Sequence, residues 1–251
     1  MPHIDLNCDL GESFGAYTIG MDEKVIPFIT SANVACGFHA GDPLVMQRTV
    51  ALCKQSSAAV GAHPGFPDLQ GFGRRQMKLT PAEAKACVQY QIGALKAFCD
   101  AAGVPLHHVK PHGALYNMAG KDRALADAIC AAVKESAPGA VLLALSGSEM
   151  VKAAQAIGLP VANEVFADRG YRPDGSLVPR GTPGAMIEDE GEAIARVIRM
   201  VTEGKVTAND GTDIAIQADS VCVHGDGPKA LAFVEKIGAA LQAAGVELKT
   251  F

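Results

Sequence analysis

The sequence predicts an α/β protein built as a (β/α) barrel, and three observations lead to that fold. Short apolar runs alternate with longer segments of helical period about seven times. No linker or change of composition divides the 251 residues, so one barrel domain over 1–251 is expected. No Gly-x-Gly-x-x-Gly motif follows a run, which disfavours an open sheet with a nucleotide crevice. We therefore expect about seven parallel strands in a closed or nearly closed, distorted TIM-like barrel.

Seven apolar runs are too short for helices, and several are enriched in valine or isoleucine, which favours strands. The predicted strands are 3–8, 32–36, 58–62, 107–109, 140–145, 161–166 and 220–223. A β-hairpin around Asp210 and Gly211 is predicted before the last strand.

The segments between the strands carry helical signals. Apolar residues recur between 88 and 99 at the spacing of one helix face. The Thr-Pro-x-Glu sequence at 80–83 predicts the start of that helix with a capping box. Asp42, which precedes Pro43, and Ser146 indicate two further helix starts.

Composition and charge exclude several classes of protein. Apolar residues make up 49% of the chain and charged residues 20%, which excludes a disordered protein. The 22 Lys and Arg against 27 Asp and Glu give a net charge of −5, so no basic field favours nucleic acid or anionic lipid. The first residues lack the pattern of a secretory signal, and the 7 cysteines form no Cys-x-x-Cys pair. We expect a cytoplasmic protein with reduced thiols and a small-molecule substrate.

Polar residues collect where the predicted strands end. In a (β/α) barrel the carboxyl ends of all strands meet at one face, so residues far apart in sequence share one mouth. The residues in question are Asp9, Glu12, His39, Asp42, His63, Lys110, His112, Ser146, Glu164, Asp168, Arg169, His224 and Asp226. Asp42 and Ser146 also have a plainer interpretation as helix caps. We expect the histidines, carboxylates and cations to line one pocket. His107 and His108 precede the centre of the fourth strand, away from this pocket, and are expected to be structural.

Some of these residues have two interpretations. Lys110 follows a strand, where an unpaired buried cation is costly, so a functional role is favoured. Asp168 and Arg169 either bind an anion or form an exposed ion network with Arg172 and Arg180.

The loop 66–75 is the second ambiguous feature. Its consecutive Arg74 and Arg75 either clamp a carboxylate or phosphate, under a mobile lid, or belong to a solvated turn. At most one of the two side chains is expected to reach the site, because neighbouring side chains of an extended backbone diverge.

Six ordered blocks together resemble the LamB/YcsF family. They are NCDLGESFG (7–15), ANVACGFHAGDP (32–43), GAHPGFPDLQGFGRR (61–75), VKPHGALYN (109–117), EVFADRGY (164–171) and VCVHGD (221–226). Phe66, where tyrosine is expected in many relatives, is a minor departure. The resemblance implies a barrel related to the polysaccharide deacetylases. It also implies an enzyme that opens 5-oxo-L-proline to L-glutamate with hydrolysis of ATP to ADP and phosphate, together with partner subunits B and C.

Opening a lactam requires a general base, a general acid, cations for developing negative charge and an anchor for the substrate carboxylate. The catalytic candidates are Asp9, Glu12, His39, His63, Lys110 and His112. The candidates for binding substrate or phosphate are Arg74, Arg75, Glu164, Asp168, Arg169, His224 and Asp226. The chain has no Gly-x4-Gly-Lys-[Ser/Thr] loop, so ATP, with or without Mg²⁺, binds in another way or is handled chiefly by a partner.

Two other functions stay open at this level. In the second interpretation, a metal-dependent deacetylase or glycan hydrolase, Asp9, His39 and His63 would hold Zn²⁺ with an open position for water, although no His-x3-His pair is present. A non-catalytic subunit that only binds the ligand is the third interpretation.

Overall fold

The computed structural model describes residues 2–223 and 230–251 and contains a closed parallel barrel. The strands in the described residues are β1 (His3–Leu10), β2 (Ser31–Ala35), β3 (Ala59–His63), β4 (Leu106–Val109), β5 (Val141–Leu145), β6 (Val161–Phe166), β7 (Lys205–Thr207), β8 (Asp213–Ala215), β9 (Ser220–Val223) and β10 (Glu247–Leu248). β1 to β6 pair in sequence order, and β9 pairs with both β6 and β1, which closes the barrel. The predicted barrel of seven parallel strands is confirmed.

Two smaller elements accompany the barrel. β7 and β8 form the predicted antiparallel hairpin. β10 was not predicted: it extends the sheet beside the amino end of β1, where His3 pairs with Glu247. A two-residue strand carries too little periodicity for a sequence signal.

Helices connect the strands along the outside of the barrel. Those in the described residues are α1 (Asp22–Val25), α2 (Pro43–Ser56), α3 (Pro81–Ala102), α4 (Gly113–Ala119), α5 (Arg123–Ser136), α6 (Glu149–Ala156), α7 (Glu190–Glu203) and α8 (Ala230–Ala243). The Asp42 carboxylate accepts hydrogen bonds from two backbone N–H groups of the first turn of α2, and Thr80 and Glu83 form a complete capping box on α3. Both predicted helix starts are confirmed.

The predicted cap at Ser146 is wrong. α6 begins at Glu149, and Ser148 occupies the capping position without a side-chain hydrogen bond. Gly147, with φ of 72°, lies between Ser146 and the helix, so the chain turns once more before the helix begins. The Ser146 hydroxyl instead accepts a hydrogen bond from the backbone N–H of Gln217 at 3.1 Å.

The inside of the barrel is a hydrogen-bonded polar column. Successive side chains of a strand point to opposite faces, so Asp5, Asn7 and Asp9 of β1 point one way while the apolar residues between them pack towards the helices. The Asn33 amide donates to Asn7 Oδ1 at 2.8 Å and to Asp9 Oδ1 at 2.9 Å. His108 Nε2 lies 2.7 Å from Asn33 Oδ1, so the structural role expected for His108 is to complete this column.

Gly61 of β3 is required by this column. A Cβ atom at position 61 would lie 2.1 Å from Nε2 of His108, which is held by Asn33 and cannot move aside without losing its hydrogen bond. The absence of a side chain on β3 is therefore what admits the imidazole to the barrel interior.

No helix in the two described ranges combines the length and the apolar character needed to cross a membrane.

We expect Gly61→Ala to lower the free energy of unfolding by about 1 to 3 kcal/mol, the usual cost of overpacking a core. Gly93→Ala is the matched control, because Gly93 lies inside α3 and a Cβ there meets no atom within 4 Å. It should stabilise the protein by roughly 0.5 to 1 kcal/mol through helix propensity. Urea denaturation measures both, and equal stability of the two variants would contradict the role given to Gly61.

Candidate functional site

A cavity of about 760 Å³ opens at the carboxyl ends of the strands. Its inner wall is polar and includes Asp9, Glu12, His63, Lys110 and His112. These residues follow or end β1, β3 and β4, so the convergence expected of a parallel barrel has brought them together. The volume lies in the range typical of small-molecule sites.

Lys110 is the central cation of the inner wall. Its ammonium group lies 2.9 Å from Asp9 Oδ1, 2.7 Å from Glu164 Oε1 and 3.3 Å from Cys222 Sγ, and only 3% of the side chain is exposed. Burial alone would lower the pKa of Lys110, but Asp9, Cys222 and Glu164 raise it well above its usual range. Lys110 therefore stays positively charged at neutral pH.

Glu164 lies beneath Lys110 and is completely buried. Its second oxygen accepts a hydrogen bond from the Tyr116 hydroxyl at 2.5 Å. Burial and the charge of Glu164 raise the pKa of Tyr116 well above its usual range, so the phenol stays protonated and donates. Glu164 thus forms a buried ion pair with Lys110 and is not among the residues that line the cavity.

Asp9 carries negative charge to the cavity wall. Oδ1 accepts from Lys110 and Asn33, while Oδ2 lies 3.2 Å from His63 Nε2. Burial raises the pKa of Asp9, but its contacts with His63 and Lys110 outweigh burial and hold that pKa well below its usual range. Asp9 is ionised at neutral pH, and its side chain is 18% exposed, more than those of its partners.

Three imidazole rings pack together beside this carboxylate. The rings of His39 and His112 stack with centroids 3.7 Å apart, and His63 meets both edge-on. Burial lowers the pKa of His112 to about 3 and that of His39 well below its usual range, so both rings are neutral. Glu12 Oε1 lies 3.7 Å from His39 Nε2 and 4.0 Å from His112 Nδ1.

The backbone fixes which nitrogen of two rings carries the proton. His63 Nδ1 lies 2.7 Å from the carbonyl oxygen of Lys110, and His112 Nε2 lies 2.8 Å from that of Phe72. A carbonyl oxygen only accepts, so we assign one N–H of each ring to these contacts. His63 Nε2 and His112 Nδ1 are left with lone pairs, and these two atoms lie 2.9 Å apart.

The loop 64–75 packs directly on the histidines. Gln91 of α3 holds its root by hydrogen bonds with both backbone groups of Gly65. Gly73 has φ of 63°, and a Cβ there would lie 2.8 Å from His39 Cβ and 2.9 Å from His112 Cδ2. Glycine is thus needed twice over at position 73, for its conformation and for the close approach.

Comparisons with known proteins identify the chain's relatives. A model of the LamB/YcsF family matches residues 4–251. The chain belongs to the LamB/YcsF family. It is 64% identical to the A subunit of 5-oxoprolinase from Clostridium beijerinckii, over 99% of this chain and 97% of that protein. It is 57% identical to the A subunit of 5-oxoprolinase from Bacillus subtilis, over 99% and 96%.

Solved structures agree with this LamB/YcsF assignment. A lactam utilization protein from Thermus thermophilus superimposes with a TM-score of 0.94 at 51% identity, covering 99% of this chain and 100% of that one. A family 4 carbohydrate esterase from Streptomyces lividans matches with a TM-score of 0.51 at 11% identity, covering 98% and 91%. The second likeness concerns the fold alone: the chain has the same kind of barrel as that esterase.

The structure brings together most of the residues that the sequence singled out in this LamB/YcsF chain. All six catalytic candidates lie in one cluster, with His39 directly behind His112. Arg74 and Arg169 line the cavity. Arg75 does not, since it points to solvent and pairs with Asp68, and Asp168 is likewise absent from the lining. His224 and Asp226 lie outside the described residues.

The exposed ion network considered for Arg169 is wrong. Arg169 is 5% exposed, and its guanidinium donates hydrogen bonds to the carbonyl oxygens of Val178 and Ala185. Burial lowers the pKa of Arg169 to about 10, with Arg180 adding to the effect. Arg169 thus ties the loop that follows β6 to the barrel mouth while one side of it faces the cavity.

Sequence reasoning missed several residues that shape the site. Asn7 and Asn33 were accessible, because Asn7 lies two residues before Asp9 on one strand face and Asn33 lies opposite Asp9 on β2. Cys222 and Tyr116 gave no signal. Each reaches the Lys110 cluster only because β9 and α4 are packed against it in the folded chain.

We expect Lys110→Met to lower the free energy of unfolding by about 3 to 5 kcal/mol, because it leaves Asp9 and Glu164 buried without their cation. The double variant Lys110→Met/Glu164→Gln should regain part of the loss. Lys85→Met, which breaks an ion pair with Glu135 at the surface, is the control and should cost at most about 1 kcal/mol. Urea denaturation tests this, and equal losses for the two single variants would refute it.

Proposed function

We propose that the chain acts as the A subunit of an ATP-dependent 5-oxoprolinase, opening the lactam of 5-oxo-L-proline to L-glutamate while ATP is hydrolysed to ADP and phosphate. The observation that carries the proposal is the ion pair of Asp9 and Lys110 on the wall of one cavity. The names of relatives at 64% and 57% identity, together with the lactam utilization protein, support the substrate class.

The proposed roles follow from the protonation states. A lactam is an unreactive amide, and transfer of a phosphoryl group to its oxygen makes the ring carbon open to attack by water. The Asp9 carboxylate is ionised and lines the cavity, so we assign it to orient that water and accept its proton. Lys110 remains an ammonium group and stabilises negative charge as it develops. Glu12, His39, His63 and His112 complete the proposed catalytic set.

The cavity is suited to anionic ligands. Among the residues the structure describes, seven cationic side chains and four carboxylates line it. Four of the cations lie away from the inner wall, namely Lys121, Lys152, Arg172 and Arg180. Together with Arg74 and Arg169, they would hold the substrate carboxylate and the phosphate groups of ATP, with Mg²⁺ as a companion ion. His224 and Asp226 are kept as candidates for the same role.

Partner proteins and location belong to the same proposal. The relatives are named as one subunit of 5-oxoprolinase, which implies an assembly, and we propose 5-oxoprolinase subunits B and C as the partners. The absence of a Gly-x4-Gly-Lys-[Ser/Thr] loop supports a share for them in handling ATP. All seven cysteines are free thiols, which supports a cytoplasmic location.

A metal-dependent hydrolase that acts alone is the second candidate. It is favoured by one observation, the four donor groups of Glu12, His39, His63 and His112, whose ligand atoms lie within 4.8 Å of one another. The two candidates differ in their need for ATP and for partners.

We expect the isolated chain to be inactive on 5-oxo-L-proline and the mixture with subunits B and C to form glutamate only when ATP is present. Glutamate and phosphate release are measured together, with each partner omitted in turn as the control. The double variant Asp9→Asn/Lys110→Met should abolish glutamate formation by the complete mixture. Robust ATP-independent hydrolysis of an amide or ester by the isolated chain would overturn this proposal in favour of the second candidate.

The two arginines of the loop 66–75 offer an internally matched test. Arg74→Lys keeps the charge but loses the two-pronged hydrogen-bonding geometry, so kcat/KM of the assembled enzyme should fall roughly 10- to 150-fold, equivalent to about 1.5 to 3 kcal/mol. Arg75→Lys should leave it unchanged, because Arg75 faces solvent. Arg74→Lys should melt at the wild-type temperature. Full activity of Arg74→Lys would show that Arg74 does not clamp an anion.

A further inference from the structure

The facing nitrogens of His63 and His112 pose a problem that their surroundings do not solve. With one proton on each ring, both N–H groups go to backbone carbonyl oxygens, and no hydrogen remains between His63 Nε2 and His112 Nδ1. The two atoms are nevertheless 2.9 Å apart, at which distance two lone pairs repel each other. A positive charge between the rings removes the repulsion, and it is either a shared proton or a metal ion.

His39 and Glu12 favour the metal ion over the proton. His39 is completely buried, and neither of its ring nitrogens has a hydrogen-bond partner among the described residues. A buried polar atom left in this state is costly. A proton shared by His63 and His112 would leave both ring nitrogens of His39 without a partner. A metal ion in the cluster would instead bind one nitrogen of His39. Glu12 Oε1, 3.7 Å from His39 Nε2, adds a carboxylate ligand.

We propose that Glu12, His39, His63 and His112 bind one divalent transition-metal ion through a carboxylate oxygen and three imidazole nitrogens. The four ligand atoms lie within 4.8 Å of one another. The 2.9 Å separation of the two facing nitrogens corresponds to two bonds of about 2.1 Å at nearly a right angle. The cluster deepens the proposed function, because it would place a Lewis acid beside Asp9 at the cavity wall.

Groups around the four proposed ligands hold two of the imidazole rings in the orientation that metal binding requires. A ligating histidine normally donates its other N–H to a carbonyl oxygen or a carboxylate, which orients the ring and fixes its tautomer. The Lys110 and Phe72 carbonyl oxygens do this for His63 and His112. Asp9, whose Oδ2 lies 3.2 Å from His63 Nε2, lines the cavity, and a ligand water or substrate oxygen from the cavity would complete the coordination.

The chemistry of the ligand set selects the class of ion. Three imidazole nitrogens and one carboxylate suit Zn²⁺ and the neighbouring first-row ions, whereas Mg²⁺ prefers oxygen ligands and keeps its water. The ion proposed here is therefore distinct from any Mg²⁺ that accompanies ATP.

Direct metal binding tests the inference without reference to activity. The full-length chain is stripped with a chelator, dialysed and titrated with Zn²⁺ alone by calorimetry, and its metal content is measured by mass spectrometry. We expect one ion per chain and a rise in melting temperature. His112→Gln and Glu12→Gln should weaken binding by at least about 100-fold, beyond the 10- to 100-fold loss typical of second-shell changes.

His3→Asn is the matched control, because His3 is exposed at the amino end of β1, far along the strand from the cluster. It should bind Zn²⁺ and gain thermal stability as the wild type does. Circular dichroism checks that each variant is folded, and Glu12→Gln, which keeps the side-chain size, serves if a histidine variant is not. Binding that is absent in the wild type, or unchanged in both ligand variants, would overturn the inference in favour of a shared proton.

Measuring metal binding and ring opening on the same protein preparation distinguishes the proposed metal site from the proposed function. Stoichiometric binding without ATP-dependent ring opening in the three-subunit mixture would remove the proposed function and leave the metal site. Full ring opening by chelated, metal-free protein that does not take up Zn²⁺ would do the reverse.

Discussion

The structure of the barrel mouth depends on the burial of Lys110 between Asp9 and Glu164. A buried ion pair is not by itself a source of stability, because removing the charges from water costs several kcal/mol per ion. Here the cost is offset by further hydrogen bonds: Lys110 also donates to Asn7 Oδ1 at 3.1 Å, and the Asn33 amide donates to Asp9 Oδ1 at 2.9 Å. Such an arrangement specifies one geometry for the charges, which is what a catalytic site requires.

The Lys110 cluster is connected to the barrel interior by a continuous hydrogen-bond network. Asn33 links Asp9 to His108, and the exclusion of a side chain at Gly61 gives His108 its place. The polar column occupies the space that apolar side chains fill in most small barrels. The core that stabilises the fold therefore lies mainly between the outer faces of the strands and the helices, while the barrel interior supports the site.

The histidine cluster is positioned by backbone as much as by side chains. The carbonyl oxygen of Lys110 orients His63, and that of Phe72, in the loop after β3, orients His112. The single residue that follows β4 thus places both the ammonium group and an imidazole. The loop 64–75 is part of the site's wall, held at its root by Gln91, so its glycines serve close packing as well as flexibility.

The sequence by itself determined the barrel, its seven strands, two helix caps and the convergence of the catalytic candidates. It could do so because hydrophobic periodicity and capping are local, and because parallel strands must end on one face. It did not determine which of Arg74 and Arg75 faces the cavity, nor that Arg169 is buried, since these depend on loop conformations set by distant contacts.

Only the tertiary structure decided the protonation states. Burial and charged neighbours ionise Asp9, keep Lys110 charged and keep His112 neutral. These neighbours are distant in sequence: Asp9 and Lys110, for example, are 101 positions apart along the chain. The lone pairs of His63 and His112 meet for the same reason. A sequence records which groups are available, but their charge depends on solvent exclusion and on distances of a few ångströms, which exist only after folding.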